Sequence, residues 1–157
     1  MWTSIAVFTS LCVAGILGAT CPDGFEGHQG SCYFFSHGKA TWMDAYESCT
    51  DLFGAKLAEV TSDAENAYIS QRTVTLGGSN YWIGLTDPFV EGSFFWMSNT
   101  QPLTGPTYWA PDEPDVDPTD NCVRYSHSHH NLWSDTSCTD EAYYICEMPD
   151  GAAEIIG

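Results

Sequence analysis

The sequence predicts an α+β domain stapled by disulfides, with two helices followed by short antiparallel strands. Three observations predict it. Two Ser/Thr-led capping boxes, Thr41…Asp44 and Ser62…Glu65, each stand before an amphipathic run. Beyond residue 80 the pattern changes to brief stretches rich in β-branched and aromatic residues. Six cysteines remain once the apolar N-terminal segment is set aside: Cys21, Cys32, Cys49, Cys122, Cys138 and Cys146.

The elements follow in order. Residues 1–20 carry no charged side chain, and an apolar run over 5–17 precedes the small residues Gly18-Ala19-Thr20, which is the layout of a secretory signal peptide lacking its usual basic start. The run is shorter than the ~20 residues of a membrane span and is interrupted by Thr9, Ser10 and Gly15, so no membrane insertion is expected. Cys32-Tyr-Phe-Phe-Ser36 reads as a strand. Thr41 opens a helix over 41–49 in which Trp42, Ala45, Tyr46 and Cys49 share one face, turning Cys49 inward. Ser62 opens a second helix, about 63–72, and Gly77-Gly78 stops it. Strands are then expected at Trp82-Ile-Gly-Leu85, Phe94-Phe-Trp-Met97, Cys122-Val-Arg-Tyr125, Leu132-Trp133 and Tyr143-Tyr-Ile-Cys146, with Trp82, Trp96 and Trp133 in the core. The 24 residues between Met97 and Cys122 lack periodicity but hold five prolines and Trp109, which favours an ordered binding loop. The resulting division is a signal peptide at 1–20, a domain at 21–148 and a tail at 149–157.

The chain has 157 residues, 43% of them hydrophobic, a composition for one globular domain. Four Lys+Arg face 21 Asp+Glu, a net charge of −17. Nucleic-acid binders need a basic face, so that class is excluded, and anionic membrane surfaces are disfavoured. The same charge suits a divalent cation and favours solubility. An even cysteine count after a signal peptide reads as a disulfide framework, for which six cysteines allow 15 connectivities. No Cys-x-x-Cys pair and no Asn-x-Ser/Thr sequon occurs.

Asp112, Glu113, Asp115, Asp117 and Asp120 fall within nine residues, interleaved with prolines, and Asp135, Asp140 and Glu141 follow. An oxygen-rich cluster on a stiff loop suits Ca²⁺, which takes 6–8 oxygen ligands. The absence of a central Gly and the presence of Pro118 exclude an EF-hand. Taken with Trp82-Ile-Gly-Leu85, Trp109-x-x-x-Glu113-Pro-Asp115, Cys122-Val123, Trp133-Ser-Asp135-x-x-Cys138 and Tyr144-Ile-Cys-Glu147, in this order, the cluster resembles the signature of a C-type lectin domain. The resemblance runs from about Cys21 to Met148.

That resemblance implies three pairings: Cys49–Cys146, Cys122–Cys138 and, for the long form of the domain, Cys21–Cys32. It implies a sugar-binding calcium on Glu113, Asp115, Asp120, Ser134 and Asp135, with Pro114 following a cis peptide bond. It implies an accessory calcium on Asp87 and Glu91, with Asp120, Asn121 and Asp117 completing it; the loop is about one residue shorter than in the mannose-type members. Two departures stand out. The triplet Glu-Pro-Asp joins a mannose-type lead to a galactose-type close, and Ser134 stands where Asn is usual. An ionised carboxylate accepts hydrogen bonds and cannot donate. Asp115 therefore removes a donor, Ser134 can donate only once, and four carboxylates face the ion, so calcium affinity should persist while direct sugar affinity should be modest. Glu113 at the lead favours mannose, glucose, GlcNAc or fucose over galactose.

His127, His129 and His130 lie between two expected strands and read as an exposed hairpin tip, against a transition-metal patch or a pH-sensitive contact. The function implied is a secreted, calcium-dependent glycan-binding lectin of innate defence, not an enzyme, forming a noncovalent homo-oligomer. An acidic mineral-matrix protein and a sugar-independent protein-recognition domain are the competing readings.

Overall fold

The computed structural model describes residues 21–52 and 54–151. The expected signal peptide and residues 152–157 of the expected tail lie outside them.

The chain begins with strand β1 (Glu26–His28) and strand β2 (Ser31–Phe35), followed by helix α1 (Trp42–Asp51), strand β3 (Lys56–Leu57) and helix α2 (Asp63–Thr75). Strands β4 (Tyr81–Thr86), β5 (Phe95–Trp96) and β6 (Gln101–Pro102) come next. Strand β7 (Cys122–Ser126), a 3₁₀ turn (His127–His129), β8 (Leu132–Thr136) and β9 (Tyr143–Pro149) complete the order.

Both expected caps form. The Thr41 hydroxyl accepts from the Asp44 amide and the Ser62 hydroxyl from the Glu65 amide. Each satisfies one of the amides a helix start leaves without an intrahelical partner. Helix α2 runs to Thr75, three residues beyond the expected end at 72, and Leu76 caps it just before Gly77. Val74 and Leu76 are exposed, so the last turn shows no apolar face by which the sequence could announce it. Strand β9 likewise continues to Pro149, one residue past the expected domain limit.

Within the described residues the strands form one sheet in the order β1-β2-β9-β4-β5-β6, with β3 paired to β9, β7 to β4 and β8 to β7. The pairings are antiparallel except β4–β9, which is parallel (Tyr81↔Tyr143, Trp82↔Tyr144). The sheet is therefore mixed, where antiparallel sheets alone were expected. Strand β9 joins the N-terminal ribbon to the C-terminal strands that carry the site. Gly84 marks a close approach: its amide donates to the Ala58 carbonyl at 2.9 Å, and a Cβ there would meet the Leu57 carbonyl oxygen at 2.9 Å.

The three disulfides are Cys21–Cys32, Cys49–Cys146 and Cys122–Cys138. The second joins α1 to β9 across 97 residues, a closure for which chain entropy predicts about 4.7 kcal/mol. One core cluster surrounds Trp133, with Tyr125, Val123, Leu85, Ile83 and Trp96; a second surrounds Trp42, Trp82 and the cystines. Trp82, Trp96 and Trp133 are buried as expected, and each large ring removed from water is worth several kcal/mol.

Candidate calcium and glycan site

The β7–β8 hairpin is the platform of the site. Its register pairs Val123 with Asp135 and Arg124 with Ser134. By strand alternation Val123 and Tyr125 enter the core. The proline-rich loop is laid on this hairpin by backbone bonds: Ala110 N–H donates to the Trp133 carbonyl and Trp133 N–H to the Tyr108 carbonyl, each at 2.8 Å. Trp109 is half-buried, its ring centroid 5.6 Å from that of Trp133 and 4.9 Å from that of Phe94. The loop is thus ordered, as its prolines and Trp109 suggest, and it also contributes β6.

The Glu113–Pro114 peptide bond is cis, in agreement with the expectation. Glu113 is a neighbour of Asp135. Burial and then this neighbour hold the Asp135 carboxyl well above the usual carboxylate range. Asp135 Oδ1 accepts from the Asp115 amide at 3.2 Å. Asp135 Oδ2 and the Ser134 hydroxyl oxygen are buried without a hydrogen-bond partner. Buried polar atoms are ordinarily satisfied, so this pair asks for a cation or a donor that the chain does not supply.

The remaining acids are less concentrated. Asp115 Oδ1 accepts from the Asp117 amide at 2.7 Å, and Asp117 Oδ1 accepts from the Thr119 amide and hydroxyl, bonds that lower the Asp117 carboxyl. Asp120 is raised, by burial first and then by Asp117, Asp115, Asp135 and Asp140. Among the described residues no three His, Cys, Asp or Glu side chains are gathered as a metal would hold them. The arrangement sets Glu113 beside Asp135, with Asp120 in their electrostatic neighbourhood and Ser134 next to Asp135 along β8, and leaves the Asp115 and Asp117 side chains on backbone amides.

The expected accessory set has one deeply buried member. Asp87 is 1% exposed; its Oδ2 accepts from the Gly92 amide at 2.7 Å and its Oδ1 has no partner. Burial raises its carboxyl. Glu91 is raised by desolvation and by the charges of Asp87, Asp135, Asp115 and Asp117, which places both sets of acids in one field. Asn121 holds the segment through its backbone carbonyl, which accepts from the Asp87 amide and the Thr86 hydroxyl, while its side-chain amide donates to the Pro118 carbonyl. The orphaned oxygens of Asp87, Ser134 and Asp135, with no sulfur or ring nitrogen among the expected ligands, fit a hard cation such as Ca²⁺.

Two neighbours were not among the expected site residues. Arg124 is half-buried, its guanidinium 5.9 Å from the centroid of the Trp82 ring and its Nη1 3.5 Å from Asp140 Oδ2. Strand alternation from Cys122 is the only sequence signal that could have singled it out. His129, expected at a hairpin tip, lies in the 3₁₀ turn with Nδ1 3.1 Å from the Ser126 hydroxyl and 3.9 Å from Glu113 Oε1.

Two helices, a mixed sheet, three disulfides and an ordered loop carrying acids onto a β-hairpin define a C-type lectin-like domain. The family model for the lectin C-type domain matches residues 38–148, and the chain belongs to that family. It is 32% identical over 130 residues to mouse CD209 antigen-like protein A, an alignment covering 82% of this chain and 52% of that relative. The chain thus spans about half that relative's length. Among solved structures, the mouse scavenger receptor C-type lectin carbohydrate-recognition domain superposes with a TM-score of 0.75 at 29% identity, covering 83% of this chain and 97% of that one. A calcium-independent type II antifreeze protein superposes with a TM-score of 0.74 at 25% identity, covering 83% and 95%. No helix among the described residues is long and apolar enough to cross a membrane.

Proposed function

We propose that the chain is a secreted, calcium-dependent lectin for mannose-, GlcNAc- or fucose-type glycans, acting in innate defence. Residues 1–20 serve as its signal peptide and 21–148 as its binding domain. The observation that carries the reading is the pair of buried, unpartnered oxygens on Asp135 and Ser134, with the partly buried Glu113 beside Asp135. A buried carboxylate oxygen left without a donor is costly unless a cation or proton intervenes.

In this reading Glu113, Asp115, Asp120, Ser134 and Asp135 hold a calcium that accepts two vicinal hydroxyl oxygens of a sugar. Asp87, Glu91, Asn121 and Asp117 hold a second. The work of the chain is then positional. The β7–β8 register fixes Ser134 and Asp135, the Trp109–Trp133 contact fixes the loop that carries Glu113, and Asp115 turns from the Asp117 amide to join them. Glu113 and Asp115 accept from sugar hydroxyls, and the Ser134 hydroxyl is the one neutral donor. One shallow sugar site is weak, so the protein is expected to act as a noncovalent homo-oligomer that gains avidity.

Glycan-array binding with calcium and again with EDTA tests this. Binding to mannose-, GlcNAc- or fucose-terminated glycans that EDTA abolishes is expected. Binding that survives EDTA would remove the calcium assignment, a live alternative because the fold also carries a calcium-independent antifreeze protein. A blank array would remove the glycan assignment.

A further inference from the structure

An apolar groove begins one residue from the carboxylates. It has a volume of about 580 Å³ and is walled chiefly by Phe89, Phe94, Phe95, Leu103, Trp109 and Pro114. Small-molecule sites occupy roughly 300–1,000 Å³ and are mostly apolar. None of the ten lining residues is charged, in a chain with 21 acids. Phe89 is 83% exposed and stacks on Phe95 with ring centroids 5.8 Å apart and planes within 6° of parallel. Phe94 and Trp109 meet beneath, centroids 4.9 Å apart. An aromatic wall left this open in water marks a surface that gains by being covered.

Pro114 connects the two regions. It lines the groove, and its flanking residues in the chain are Glu113 and Asp115. A ligand held by its hydroxyls at those carboxylates therefore lies near a wall of the groove. The lining offers no charge to pair with an ionic substituent, and the surrounding acids repel an anionic one. What fits is an uncharged hydrocarbon chain, which gains affinity with each methylene it buries. We infer that the chain binds amphiphilic glycosides, the sugar at the carboxylate site and an aliphatic aglycone in the groove against Phe89 and Trp109. This rests on the calcium–glycan reading for the sugar half and on the groove alone for the other.

Calorimetry with methyl and octyl mannosides in calcium, at concentrations where both are monomeric, tests it. The octyl glycoside should bind about tenfold tighter or more. In Phe89→Ser that advantage should shrink to about threefold or less, with methyl mannoside binding unchanged. Phe89 is exposed, so the variant keeps the core, which a melting curve checks. Equal affinities in the native chain, or an advantage that Phe89→Ser leaves intact, would overturn the inference. A third arm with 1-octanol alone separates the two readings. Phe89-dependent octanol binding without methyl mannoside binding keeps the groove and removes the glycan site. Absence of binding by octanol and octyl mannoside alike removes the groove.

Discussion

At the scale of single residues the site is a competition between acceptors and donors. Glu113, Asp115, Asp120 and Asp135 are oxygen acceptors, and Ser134 brings one hydroxyl. Asp115→Asn should restore a donor toward a sugar hydroxyl, a gain of about 0.5–1.5 kcal/mol, or a few-fold in mannose affinity at saturating calcium. The same change takes one carboxylate from the ion, so the calcium requirement should rise. Calorimetry on the variant at high and low calcium reads the two effects separately. Weaker mannose binding at saturating calcium would mean that Asp115 is a preferred acceptor and that galactose-type selection must be reconsidered. Glu113 and Asp135 were legible in the sequence because the Glu-Pro-Asp and Trp-Ser-Asp motifs mark them. The rotation of Asp115 onto the Asp117 amide was not, because a three-residue turn within a run of acids leaves no pattern to read. Nor was the approach of His129 to Glu113, which depends on how two loops meet.

At the scale of elements, helix α2 shows how a cap and a core contact share one side chain. Ser62→Ala should cost about 1 kcal/mol, the usual loss for an N-cap hydroxyl. Glu65→Ala should cost more, about 1–3 kcal/mol: Glu65 accepts from the Thr61 amide at 2.8 Å and from the buried Tyr33 hydroxyl at 2.7 Å, and truncation leaves both donors unmatched. Chemical denaturation of the two variants side by side gives the order. The far end of α2 is tied to β1, where Arg72 Nε donates to Glu26 Oε2 at 2.7 Å. The Arg72 hydrogen bond holds the Glu26 carboxyl below its ordinary value of 4.5. Its contribution to stability is therefore present above that value and lost as pH falls through the lowered one. The stability deficit of Arg72→Leu should be full near neutrality and shrink as pH falls below the ordinary value of 4.5; a deficit constant with pH would show that the charge pair contributes nothing. The two helices and the principal strands could be read from Thr41, Ser62 and the aromatic runs. Strands β1, β3 and β6 could not, since two or three residues such as Lys56-Leu57 or Gln101-Pro102 carry no periodicity and become strands only through their partners.

At the scale of the molecule, the calcium reading predicts a gain in stability. A ligand bound only by the folded state adds about 2.7 kcal/mol when its free concentration is 100 times its dissociation constant. Stripped protein should therefore melt several degrees higher in millimolar Ca²⁺, and an unchanged melting temperature would count against Glu113 and Asp135 as metal ligands. The covalent architecture has a mechanical consequence of its own. Strands β2 and β9 are antiparallel neighbours, with Ser31 opposite Pro149, so β2 begins beside the point where β9 ends. A force pulling those two points apart peels β2 from β9 and unravels the first turns of α1 before tension reaches the Cys49–Cys146 link. From there force passes through sulfur from α1 to β9. Everything between those cysteines, including Asp87, Glu113, Asp135 and the aromatic groove, hangs in a slack covalent loop off the line of load.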